Sequence, residues 1–154
     1  MIDRRFALLC VSALAIGARP SFAAEPTITV TKDPNCECCT GWAQHLHAAG
    51  FVVRVQDTSE LAKVKARLGV PADLAACHTA QIAGYVIEGH VPAPSIRRLL
   101  AEKPRAKGLA VRGMPTGSPG MEVPGSPNEE YEVILFGEQR RTYARYSGIK
   151  ELEN

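Results

Sequence analysis

Asp33-Pro34-Asn35-Cys36-Glu37-Cys38-Cys39-Thr40-Gly41-Trp42 places three of the chain's five cysteines within four residues. Before it, Ile28-Thr29-Val30-Thr31 alternates apolar and β-favouring residues and reads as a first strand, broken by Lys32-Asp33-Pro34-Asn35. After it, Trp42, Leu46 and Ala49 fall at i, i+4 and i+7 of a helix predicted from Gly41 to Ala49. Thr40 is its predicted N-cap and Gly50 its stop. The cysteines are therefore expected between the end of a strand and the start of a helix.

Outward from that unit, the alternation continues. Phe51 to Val55 reads as a second strand, with an apolar density that predicts burial. Ser59 is a predicted cap for a helix to Leu68, with Leu61, Val64 and Leu68 on one face and Gly69 and Pro71 closing it. Pro71 to Gln81 is predicted as a loop or broken helix carrying Cys77-His78-Thr79, and Ile82 to Glu88 as a third strand. A turn at Gly89-His90-Val91-Pro92 leads to a helix from Pro94 to Lys103, with Ile96, Leu99 and Leu100 inward. This order predicts an α/β domain with parallel strands, and a cysteine-bearing turn in its first βα unit is the thioredoxin arrangement. Tyr131 to Phe136 and Thr142 to Tyr146 are expected to add an antiparallel hairpin. Between them and the third helix, residues 104–130 hold five prolines and read as one long loop, a length that is usually functional.

The N-terminus reads as a secretory signal over residues 1–23, with the domain in 24–154. Arg4 and Arg5 supply a charged start, Phe6 to Ala18 an apolar run, and Ser21-Phe22-Ala23 a small-x-small cleavage site. That run is shorter than the about 20 apolar residues a membrane span needs. The arginine pair is compatible with twin-arginine export. Cys10 would leave with the signal. The first 23 residues carry three of the 18 basic and one of the 16 acidic side chains, leaving 15 of each. A formally neutral domain argues against a nucleic-acid partner, and the basic Arg97, Arg98, Lys103, Arg105 and Lys107 read as a solvated face.

Four cysteines in an exported domain would ordinarily suggest two disulfides. Here Cys38 and Cys39 are adjacent, so at most one of the three close cysteines can pair usefully with Cys77, and at least one thiol is left for chemistry. Cys36 and Cys39 form a C-x-x-C pair at a helix start, where the dipole favours thiolate. The extra Cys38 would intercept a mixed disulfide, so a plain thiol exchanger is less attractive than a cluster of sulfurs bridging several soft ions. Cys and Met select Cu(I), and imidazole accepts copper or zinc. Zinc remains an alternative, although a closed zinc site favours two separated knuckles and only one is present. A stapled structural domain is the remaining one.

Other candidate ligands follow from position. His45 sits one turn into the cysteine helix, His78 follows Cys77, and His90 lies in a turn expected at the cysteine end of the sheet, where open α/β sheets place their ligands. His45 and His90 have equally ordinary readings as hydrogen-bonded or capping histidines, and His47 reads as solvated. Met114 and Met121, the only methionines after Met1, lie in the Pro/Gly-rich loop, where a soft metal would explain them.

The motifs Cys36-x-Cys38-Cys39 with Trp42 and His45-Leu46, Cys77-His78-Thr79-Ala80, Gly84 to Pro92, and Gly113-Met114-Pro115 through Met121-Glu122 resemble those of the CopG-like copper-resistance proteins. These are small exported thioredoxin-like proteins of bacterial copper-handling operons. The resemblance covers nearly all of the chain after the signal. It implies a cysteine-bridged cluster of copper ions, Cu(I) handled in the periplasm and a redox role. Glu37 stands where the family often has glycine, and Arg112 where a proline is expected. The sequence thus predicts a copper-binding domain. Its metal ligands are Cys36, Cys38, Cys39 and Cys77, then His45, His78, His90, Met114 and Met121. Copper ions are the expected partners, together with another periplasmic copper-handling protein; a thiol-disulfide oxidoreductase using Cys36 and Cys39 is the alternative.

Overall fold

The computed structural model describes residues 26–153, so the expected signal at residues 1–23 lies outside the described residues. One mixed sheet of eight strands forms the centre, in the order β2-β1-β3-β4-β5-β6-β7-β8. The strands are β1 (Ile28–Lys32), β2 (Val53–Asp57), β3 (His78–Ile82), β4 (Tyr85–Glu88), β5 (Gly108–Val111), β6 (Glu130–Phe136), β7 (Arg141–Ser147) and β8 (Lys150–Leu152). Helices α1 (Glu37–Ala48), α2 (Leu61–Leu68) and α3 (Ala93–Glu102) connect them. Parallel pairing is confined to β1 with β2 and β4 with β5, each pair joined through a helix. All other neighbours are antiparallel.

The faces of the sheet divide cleanly. Trp42 and Leu46 of α1 and Ile96 and Leu99 of α3 pack with Ile28, Val30, Ala80, Ile87 and Leu109 in the main core. Leu68 of α2 packs on the other face with Val86, Ala110 and Phe136, the alternate residues of the same strands. Among the described residues no helix is long and apolar enough to cross a membrane.

Several expectations are corrected. Of the segment Phe51 to Val55, expected to be buried, Phe51 is buried in the main core, but the chain then enters β2, an edge strand, where only Val53 is half-buried and the remainder is exposed. Its run of valines reflects β propensity and not burial. The third strand is a hairpin: β3 begins at His78 and turns at Ala83-Gly84, both with positive φ (48° and 86°), before β4. Such a two-residue turn matches the twist of the flanking strands. Within the expected 104–130 loop, Gly108 to Val111 forms a fully buried strand against β4 and β6. Finally, α1 begins four residues earlier than predicted, with Cys36 at the N-cap position and no side-chain cap. Cys38 and Cys39 therefore lie in its first turn. Ser59 does not cap α2 either; Glu60 occupies that position.

Candidate metal centre

The site lies at the end of the sheet where β1 and β4 finish and β3 begins. Because β1 and β4 both run antiparallel to β3, their C-terminal ends meet the start of β3 there. Lys32, 6% exposed at the end of β1, donates to the carbonyls of Asp33 (3.0 Å) and Pro34 (3.3 Å) and pairs with Asp57 (3.2 Å). The Asn35 amide donates to Asp33 Oδ1 at 2.9 Å, an Asx turn. This anchored turn delivers Cys36 to the helix start, and Glu37, exposed in the first turn of α1, complements the helix dipole there.

Four sulfurs converge. The Sγ atoms of Cys36, Cys38, Cys39 and Cys77 all lie within 4.8 Å of one another. Cys36 and Cys39 are joined as a disulfide, while Cys38 and Cys77 are free. Cys38 Sγ is 3.5 Å from Cys36 Sγ and 3.8 Å from Cys77 Sγ. Cys39 is fully buried, and Cys36, Cys38 and Cys77 are half-buried.

Two histidines meet the same thiol from the other side. Cys77 Sγ is 3.0 Å from His90 Nε2 and 3.3 Å from His78 Nδ1. The adjacent Cys77 and His78 side chains, which chain geometry alone would send apart, reach a common point because Cys77 precedes β3 and is free of its pleat. His90 Nδ1 donates to the Pro119 carbonyl at 2.8 Å, which leaves the Nε2 lone pair facing Cys77. His78 is sandwiched between Trp42, whose ring centroid is 4.3 Å away, and His90, edge-on at 5.0 Å. Its Nε2 is buried with no hydrogen-bond partner among the described residues. Burial holds the His78 imidazole well below its ordinary pKa, with His90 and Lys65 acting in the same sense. Burial also lowers His90, against the opposing Pro119 hydrogen bond and Glu122. Both rings are therefore neutral and able to donate lone pairs. The Cys77 thiol is pushed up to about 12, by burial first and then by Cys38.

Behind Cys77 stands a polar network on the α2 face of the sheet. Glu88 is completely buried; its Oε1 accepts from the Ala76 amide (2.6 Å) and from Lys65 Nζ (2.5 Å), and its Oε2 from Thr79 Oγ1 (2.5 Å). Lys65 Nζ also donates to Thr79 Oγ1 at 2.7 Å. Thr79 and Glu88 are register partners, so the pair is placed by strand pairing. Burial raises the Glu88 pKa, and Lys65, Thr79 and the Ala76 amide offset that shift. The carboxylate thus fixes the backbone immediately before Cys77. Sequence reasoning missed this network, although a lone Glu ending the apolar strand Tyr85-Val86-Ile87-Glu88 was its signal.

The methionine loop contributes backbone. Gly120, at φ +83°, packs so closely on α1 that a Cβ there would lie 2.5 Å from the Trp42 nitrogen and 2.6 Å from the Cys38 oxygen. That approach positions Pro119 over His90. Met121 is half-buried beside Gly120. Met114 is 53% exposed and lines an open cavity with Arg112, Pro115, Tyr131 and Ile134, which contains no cysteine or histidine. His45 lies outside both donor groups: its Nε2 accepts from the Ala93 amide at 3.4 Å, at the start of α3, and burial lowers its pKa against Glu122. His47 is exposed.

A family model described as a protein of unknown function, DUF411, matches residues 74–121, the stretch that holds Cys77, both site histidines and both methionines. No curated protein matches. Two solved structures, described as copper resistance protein copG in a Form 2 and a Form 1, are each 43% identical with a TM-score of 0.75. They cover 79% and 80% of this chain and 98% and 99% of their own.

Proposed function

This chain belongs to the family of copper resistance protein CopG, and from that premise we propose that it is a periplasmic copper-binding protein. Its thiolates Cys36, Cys38, Cys39 and Cys77 hold and bridge Cu(I) once the Cys36–Cys39 disulfide is reduced, in a site of several ions. It acts in copper resistance by sequestering Cu(I) or by cycling it with Cu(II). Another periplasmic copper-handling protein exchanges the metal with it, and the signal at residues 1–23 takes the chain there. The β2-β1-β3-β4 order, with α1 and α3 on one face and α2 on the other, supports a thioredoxin-like framework extended by β5 to β8.

The observation that carries this reading is the convergence of four sulfurs within 4.8 Å from two segments of chain far apart in sequence. A thiolate has lone pairs for two soft ions, and so dense a sulfur set selects Cu(I) over harder cations. The family relationship supports copper in particular. Anaerobic titration of the fully reduced chain with Cu(I) against a chromophoric chelator tests it. Cys10→Ser removes the cysteine outside the described residues. Several tightly held coppers per chain are expected, with the count falling on Cys38→Ser; less than one would sink the cluster.

One observation favours a second reading, thiol-disulfide oxidoreduction. The Cys36–Cys39 disulfide sits at the start of α1 with Cys36 half-exposed and Cys39 buried, the asymmetry of an attacking and a resolving cysteine. Reduction of insulin by the metal-free dithiol form, at a rate no better than a free dithiol, would dismiss it.

A further inference from the structure

With Cys36 and Cys39 tied to each other, the four-sulfur set is dismantled, since two of its members have no lone pair to offer as thiolates. A second donor group survives intact: Cys77, His78 and His90, whose ligand atoms lie within 4.8 Å of one another. The two groups share only Cys77. We propose that in the disulfide form Cys77, His78 and His90 constitute a separate site for one borderline divalent cation of the zinc and cobalt type. The redox state of Cys36 and Cys39 then selects which metal the protein binds.

The geometry is close to what such an ion needs. In a tetrahedral site with a metal–sulfur bond of about 2.3 Å and metal–nitrogen bonds of about 2.0–2.1 Å, sulfur and nitrogen stand about 3.5 Å apart. The observed separations are 3.0 Å to His90 and 3.3 Å to His78, so each ring need retreat by only a few tenths of an ångström. The His90 tautomer is set by the Pro119 carbonyl, the arrangement that orients metal-bound imidazoles. His78 is held by Trp42 on one side and His90 on the other, so its ring is already oriented. The Ala76 amide is pinned by Glu88, which fixes the start of Cys77. The donor chemistry differs from that of the four thiols: one thiolate with two imidazoles is a borderline set, suited to a divalent ion. Cys38, the other free thiol, has its sulfur 3.8 Å from that of Cys77.

This inference uses Cys77 of the proposed copper site but needs no Cu(I) chemistry. The test takes the full chain carrying Cys10→Ser, with thiol counting to establish that two thiols are free. It is titrated anaerobically with Co(II). One Co(II) per chain is expected, with tetrahedral d–d absorption and a sulfur-to-cobalt charge-transfer band, displaced by equimolar Zn(II). Cys77→Ser removes the charge-transfer band, and His78→Gln or His90→Gln weakens binding at least tenfold, each variant checked for native circular dichroism. No charge-transfer band at one equivalent, or a band that survives Cys77→Ser, overturns the proposal. Failure here with several Cu(I) bound by the reduced chain removes only this site; Co(II) binding here with no Cu(I) cluster removes only the copper reading.

Discussion

Replacing Glu88 by Gln tests whether the network behind Cys77 is held by charge or merely by hydrogen bonding. The amide still offers an oxygen to the Ala76 nitrogen and an N–H to Thr79 Oγ1, so the shape and two contacts persist. What disappears is the anion facing Lys65, whose side chain is only 12% exposed. Removing one partner of a buried pair leaves an uncompensated charge and costs about 3–5 kcal/mol. Lys65→Met, which strands the carboxylate, should cost a similar amount, lessened to the extent that Glu88 takes up a proton. The double variant removes both charges, and exchanging a buried pair for neutral groups is close to neutral. Its cost should therefore fall short of the summed single costs by at least about 2 kcal/mol, a coupling expected of residues in one network. Urea denaturation of the metal-free disulfide form at neutral pH measures all three. Single losses below about 1 kcal/mol, or strict additivity, would show that Lys65 finds water in place of Glu88 and that the ion pair does not hold this end of β3.

Three further outcomes follow from the same structure. Gly120→Ala puts a methyl group against the α1 backbone at a positive φ, so it should cost at least about 2 kcal/mol in a denaturation curve; a wild-type midpoint would mean that the loop is not seated on the helix. His45, His78 and His90 all have pKa values lowered by burial, so the unfolded chain takes up protons first as pH falls below the ordinary histidine value. The stability they contribute is complete above about pH 6.5 and is lost below it; urea midpoints equal at pH 7.5 and 5.5 would contradict that. Trp42, the only tryptophan, packs against His78 with ring centroids 4.3 Å apart, so Co(II) or Cu(I) binding at Cys77 should quench its fluorescence with the same stoichiometry as the absorption titration, and unchanged emission would place the metal elsewhere.

What was legible in the sequence was mostly what local chemistry encodes. The β1–α1 unit, the β6–β7 hairpin and the gathering of Cys36, Cys38, Cys39 and Cys77 could be read from periodicity and cysteine spacing. The placement of His90 followed from strand direction, which held even though the strand itself was half of a hairpin. The hairpin escaped notice because its turn is Ala83-Gly84, where an alanine at φ +48° replaces the Asn or Asp that usually signals one. β5 escaped because four buried residues between charged and proline-rich segments have too little periodicity to register. The early start of α1 was hidden because Cys36 caps nothing with its side chain. Met114 shows the limit of reading by residue type: a thioether in a loop suggests a soft metal, yet its side chain lines a cavity with no cysteine or histidine. Lys65 and Glu88 meet only because α2 crosses the β3–β4 pair, a tertiary fact that neither segment announces.

The spacing between the sulfurs also carries a consequence for the unfolded chain. The Cys36–Cys39 bond closes a loop of four residues, whereas a bond between the neighbouring Cys38 and Cys77 would close one of 40. On a chain-entropy scale the longer loop restricts the denatured ensemble by about 4 kcal/mol, about twice the short loop's share. It can also form in register only after β1 has found β3. An oxidant that reaches the chain early therefore captures the short loop and leaves the long-range pair as thiols. Those two thiols come within 3.8 Å only when the sheet is assembled, so their proximity is a record of completed folding.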